Sequence, residues 1–160
     1  MNRKRLAIGF GCGVLGTIAM SVPMIAATVA GIAPMPKPIP AAIVGSLFGP
    51  GLPKPLLMLL AASSHLFYGG VWAALLTAVS KRVTVWTGIA LGAGLWFIMQ
   101  IVVLPALGWG VFGTAITPKI AMATLILHLV YGATTGYLIQ RLADDLGPGV
   151  GSSTNGPSRA

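Results

Sequence analysis

Four stretches of this chain contain no Lys, Arg, Asp or Glu: residues 6–30, 56–79, 83–106 and 120–139. No other feature restricts the fold as strongly. About 20 predominantly apolar residues in a helix cross a hydrocarbon core of roughly 30 Å. A soluble helix of that length would carry a polar face. A charge at mid-bilayer costs roughly 2.5–3.5 kcal/mol on insertion scales, so charges collect between spans. They do so here. The two acids, Asp144 and Asp145, follow the last stretch, and the ten basic residues lie almost entirely between stretches or at the chain ends. Only 8% of residues are charged, against about a quarter in a soluble domain. The sequence predicts an all-α, four-transmembrane-helix bundle over residues 1–142. The Gly/Ser/Pro-rich remainder, 143–160, predicts a disordered cytoplasmic tail.

The placement of the basic residues predicts the threading. Arg3, Lys4, Arg5, Lys81, Arg82 and Arg141 flank the spans on one side, and Lys37, Lys54 and Lys119 on the other. The positive-inside rule then puts both termini in the cytoplasm of a cell bounded by this membrane. The net charge of +8 does not form the basic stripe with exposed aromatics that a nucleic-acid surface needs. Attraction to anionic lipid headgroups accounts for it, so the expected partners include membrane lipids and no nucleic acid. The first span has the basic start of a signal peptide, but its apolar stretch exceeds the usual core of about 7–15 residues, so retention is expected.

The chain has two histidines, and both open nearly the same word: "HLFYGG" from His65 and "HLVYGA" from His128. A shift of 63 positions carries His65, Leu66, Tyr68 and Gly69 onto His128, Leu129, Tyr131 and Gly132. Glycine-rich spans precede both words, so spans one and two are expected to repeat as spans three and four. Each unit crosses twice, which makes the copies parallel about an axis along the membrane normal. His65 and His128 then lie at similar depth. In a helix His at i and Tyr at i+3 share a face, with Gly at i+4 beside them. The expected intramembrane polar cluster is therefore His65, Tyr68, His128 and Tyr131. Gly69, Gly132 and Gly136 are the expected helix-packing residues.

Three readings of the histidine pair stay open. One is a neutral His–Tyr hydrogen-bond network that fixes packing. Another is a proton or solute path, since intramembrane ionisable groups mark such routes. The third is bis-histidine haem ligation by His65 and His128. No other metal site is expected, because two imidazoles lack the carboxylates or thiolates most sites use. The lone Cys12 reads as a small packing residue. "GCGVLG" matches G-x-G-x-x-G but lacks the strand a dinucleotide fingerprint requires. Pro23 is expected to kink span one, and Gln100 to bond across the bundle. A short surface helix is expected at 39–48, with Phe48, Trp109 and Phe112 in the membrane interface.

The glycine-rich first span, the four short spans and the last span "HLVYGATTGYLIQRL" together resemble small prokaryotic membrane proteins of the YagU-like kind, four-span families of unknown function. That resemblance implies a fold and a location and brings no catalytic residues. No carboxylate pair or nucleophile–base pair lies within the spans. The expectation is a multi-pass cytoplasmic-membrane protein with a structural or accessory role and no catalysis or cofactor of its own. It would self-associate or join a larger membrane partner. The alternatives are a small transporter or channel-like subunit and a haem-binding subunit.

Overall fold

The computed structural model describes residues 3–145, and every element among them is helical. Helix α1 spans Arg3–Val29, α2 Ile39–Phe48, α3 Lys54–Val79 and α4 Val85–Ile98. A π turn, Met99–Val103, carries α4 into α5, Leu104–Ala106; a 3-10 turn, Val111–Gly113, precedes α6, Lys119–Asp145. Four runs are long and apolar enough to cross a membrane: α1, α3, the continuous Val85–Ala106, and Lys119–Leu142 within α6. Their bounds differ from the charge-free stretches for physical reasons. Arg3, Lys54 and Lys119 join the helix starts because long cationic side chains reach the interface from inside a helix. The third span begins at Val85 because Thr84 caps it. The Thr84 hydroxyl accepts from the Thr87 amide at 3.3 Å while the Thr87 hydroxyl accepts from the Thr84 amide at 2.9 Å, a reciprocal capping box. Of the expected tail, residues 143–145 continue α6, and 146–160 lie outside the described residues.

Pro23 lies within α1 without ending it. Pro105 has a larger effect. It has no N–H to give the carbonyl four residues back, and its ring crowds that carbonyl. The backbone answers with a π turn, in which the Leu104 amide reaches back to the Met99 carbonyl. Met99 and Gln100 are both buried there.

Helices α1 and α3 pack as one hairpin and α4 and α6 as another, and α1 lies along α6 to join them. Helices α3 and α4 share no extended interface. The two hairpins nevertheless repeat one contact. A Cβ on Gly13 would strike the Gly69 carbonyl, and a Cβ on Gly88 would strike the Gly132 carbonyl. These backbones touch because neither glycine holds them apart.

One end of the bundle carries Arg3, Lys4, Arg5, Lys81, Arg82 and Arg141, against Lys37, Lys54 and Lys119 at the other. The Arg5 guanidinium donates to the carbonyls of Ser80 at 2.8 Å and Lys81 at 3.3 Å. This places a cation just past the C-terminal end of α3, where the helix dipole favours it. The Gln140 side-chain oxygen accepts from the Val85 amide at 3.1 Å. The start of α1, the α3–α4 turn and the end of α6 therefore meet at this basic end.

The opposite end is capped by connections. Helix α2 packs on α3, and Met35, Ile39, Met99, Leu104, Trp109 and Ile120 form a buried cluster beneath the loops. Trp109 was expected in the membrane interface; it is 8% exposed and belongs to this cluster. Left-handed glycines at 108 and 110, with φ of 75° and 73°, turn the chain inward on either side of it. Phe48 is exposed at 62%. Phe112 packs edge-on against Trp96 with ring centroids 5.8 Å apart.

Candidate functional site

Toward the capped end the four spans border a cavity of about 250 Å³. Each span contributes to it. Met20 and Met24 come from α1, Ser64, His65 and Tyr68 from α3, Leu95, Met99 and Val103 from α4 and the π turn, and Thr124, Leu127 and His128 from α6. Met35, Ile39, Pro40 and Ile43, from the α1–α2 connection and α2, complete the lining. The local reason is side-chain length. Towards the basic end, glycines let these helices touch, and the last such contact of α4 on α6, Gly92 against the His128 carbonyl, reaches the edge of the cavity; beyond it longer side chains such as Met99 and Leu127 line the space.

His65 and His128 both line this cavity. The Nδ1 of His128 is 2.8 Å from the Thr124 carbonyl. A carbonyl only accepts, so Nδ1 carries the proton and Nε2 keeps the lone pair. The Nε2 of His65 is buried with no hydrogen-bond partner. A buried orphan of this kind costs about 1–3 kcal/mol unless something else satisfies it. Thr124 is a junction that the sequence reading did not single out. Its hydroxyl donates to the Ile120 carbonyl at 2.7 Å and accepts from the Gln100 amide nitrogen at 2.9 Å. Gln100 is fully buried and bonds across from the π turn to α6, as its position inside a span implied.

The two tyrosines separate. Tyr68 lines the cavity, is 45% exposed, and stacks edge-on with Trp72 at 6.1 Å. Tyr131 is 2% exposed and donates its hydroxyl to the Gly69 carbonyl at 2.7 Å, linking α6 to α3 beside the cavity rather than in it. No His–Tyr hydrogen bond occurs among the described residues. In place of the expected network, His128 bonds the Thr124 carbonyl of its own helix and Tyr131 the Gly69 carbonyl of a neighbouring span. Gly69, Gly132 and Gly136 are points of close approach: a Cβ on each would strike Thr17, Gly88 and Thr84 respectively. Cys12 is buried with Val83 and Ile139 near the basic end.

The lining methionines were also missed. Their signal was present in "MSVPM", where Met20 and Met24 stand four apart on one helix face. No family model matches the chain, and neither a curated protein nor a solved structure matches it.

Proposed function

We propose that this protein is a multi-pass component of the cytoplasmic membrane that holds a small ligand in the cavity between its spans, without catalysing a reaction on it. The observation that carries this reading is the cavity: all four spans build it, and the chain's only two histidines line it. A purely structural bundle has no need to leave such space or an unpartnered imidazole nitrogen. The role is binding or passage, as in a small transporter or an accessory subunit to one. The excess of basic residues at one end supports cytoplasmic termini, and the cavity then lies toward the outer half of the membrane. The contact repeated at Gly13 and Gly88 supports descent from a duplicated hairpin.

The haem reading fits poorly. Pockets that bury drug-sized ligands run to about 300–1,000 Å³. A haem is a large ligand on that scale, and the cavity, at about 250 Å³, lies below it.

Native mass spectrometry of protein extracted in gentle detergent tests the reading. Wild type should retain a small non-lipid guest, and Leu127→Trp, which fills the cavity, should lose it. Identical spectra for the two would overturn the proposal. Reporter fusions at Lys54 and Lys81 test the threading and should report opposite sides.

A further inference from the structure

The lining of the cavity has a specific chemistry. Four of the chain's seven methionines, Met20, Met24, Met35 and Met99, meet there with both histidines. They arrive from separate places: α1, the connection after it, the π turn, α3 and α6. Thioether sulfur is a soft neutral donor and imidazole a borderline one, and thioethers select Cu(I) among biological metals. Carboxylate-type and thiolate-type donors are missing from this lining. Among the described residues no group of three or more His, Cys, Asp or Glu is placed to hold a metal. Hard divalent ions need oxygen donors, and zinc sites draw on thiolates, carboxylates or additional imidazoles. A neutral sulfur and nitrogen set discriminates against both. A single positive charge is also the least costly for an uncharged intramembrane site to accept.

The imidazoles are prepared for such a ligand. His128 donates from Nδ1 to the Thr124 carbonyl, which fixes the ring and leaves Nε2 with its lone pair, as in metal-ligating histidines. His65 keeps a buried Nε2 that no protein group satisfies. Met99 sits at the start of the π turn, a distortion that recurs at functional sites.

We propose that the cavity binds one soft monovalent metal ion, Cu(I) or its analogue Ag(I), through the imidazoles of His65 and His128 and the thioethers of the methionines around them. This rests on the reading that the cavity receives a small ligand. The test uses the full chain in detergent, with Cu(I) held reduced by ascorbate and competed against a chromophoric Cu(I) chelator. Wild type and Cys12→Ser should each take up one equivalent, while Zn(II) produces no thermal shift. The double variant Met20→Leu, Met24→Leu keeps the volume and should bind at least tenfold more weakly. The double variant His65→Ala, His128→Ala should not bind. X-ray absorption of the Ag(I)-loaded wild type should show both sulfur and nitrogen neighbours and needs no variant. The proposal is overturned by absence of uptake in wild type, by uptake indifferent to both double variants, by loss in Cys12→Ser, or by absence of sulfur around silver. A wild type that retains a non-metal guest by native mass spectrometry, loses it in Leu127→Trp, and takes up no Cu(I) would overturn the metal assignment alone. A wild type with neither guest nor Cu(I) would overturn both readings.

Discussion

The half of the bundle near the basic end and the half near the capped end are built from the same four spans but packed in opposite ways. Near the basic end, α4 and α6 meet backbone to backbone: a Cβ on Gly88 would strike the Gly132 carbonyl, and one on Gly136 would come within 2.6 Å of the Thr84 carbonyl oxygen. Near the capped end the same pair of helices faces a cavity through Leu95, Met99, Thr124 and Leu127. Inside a membrane, lipid tails are as apolar as the side chains, so burial does not drive helices together. Close packing and interhelical hydrogen bonds do. Side-chain size therefore decides where helices touch and where they leave space, and this chain grades it along each span.

The sharpest way to break that comparison is to enlarge one residue of α6 in each half. A Cβ on Gly132 would meet the Gly88 carbonyl carbon at 2.9 Å and the Ile89 Cα at 3.0 Å. Neither is a flexible side-chain end that can move aside. Gly132→Leu is expected to cost about 3 kcal/mol or more, at the upper end of overpacking effects. Leu127→Phe, which grows into the cavity, is expected to cost less than about 1 kcal/mol, as volume changes do where space exists. Unfolding in mixed detergent, followed by tryptophan fluorescence, measures both. Equal costs would show that the capped half is as tightly packed as the other.

Much of this architecture was legible before any coordinates. The four spans follow from where charge is absent, the short helix Ile39–Phe48 from proline placement, and the Gln100 crosslink from a lone amide inside a span. The pairing of spans was not legible. Each span is apolar nearly all round, so periodicity does not say which face meets which neighbour. Symmetry did not supply it either. A duplicated hairpin would pair α3 with α4 as it pairs α1 with α6, and that second interface is not extended. The cavity was half legible. The repeated word marked His65, Tyr68 and His128, but methionine counts as one more apolar residue in any hydropathy reading. Its convergence needs the packed helices. Trp109 was misplaced because an aromatic in a loop between spans reads as an interface anchor, and only the turns at Gly108 and Gly110 bring it inward.

Tyr131 stands at the boundary between the halves and gives the next effect in size. Its ring packs with Met20 and Leu95, and its hydroxyl bonds the Gly69 carbonyl. Tyr131→Phe keeps the ring and removes that bond. Interhelical bonds of this kind average about 0.6 kcal/mol and reach about 1.7. A value in that range, from the same unfolding assay, fits a single bond between α6 and α3. A loss well above about 2 kcal/mol would mean that the hydroxyl also holds the cavity open.

In metal-free protein the histidines come next. No hydrogen bond joins them among the described residues, so in metal-free protein the costs of His65→Leu and His128→Leu should add within about 0.3–0.5 kcal/mol. His65→Leu alone should be neutral or stabilising, because it removes a buried nitrogen without a partner. With Ag(I) present at about a hundredfold over its dissociation constant, wild type should gain about 2.7 kcal/mol by mass action. Each single variant should lose most of that gain. Strong coupling already present without metal would show that the rings bind each other, which would draw the capped half closer to the packing of the basic half.

The smallest effect is expected at Gln100, where two terms oppose each other. Its side-chain nitrogen donates to the Thr124 hydroxyl at 2.9 Å, a fully buried bond between the π turn and α6. Its side-chain oxygen is buried with no partner. Gln100→Leu loses the bond, about 0.6 kcal/mol on the membrane scale, and also removes the desolvated oxygen, whose cost is of similar order. The Thr124 hydroxyl is not stranded by the change, since it still donates to the Ile120 carbonyl at 2.7 Å. The π turn should persist, because Pro105 and not Gln100 denies the helix its regular bond. The net change should therefore lie within about 0.5 kcal/mol of zero, and ligand uptake should be unaltered. A loss of about 1.5 kcal/mol or more would reverse the ranking. It would mean that the amide clamps α4 to α6 across the cavity, and that the capped half is fastened by a polar bond where the basic half is fastened by glycine.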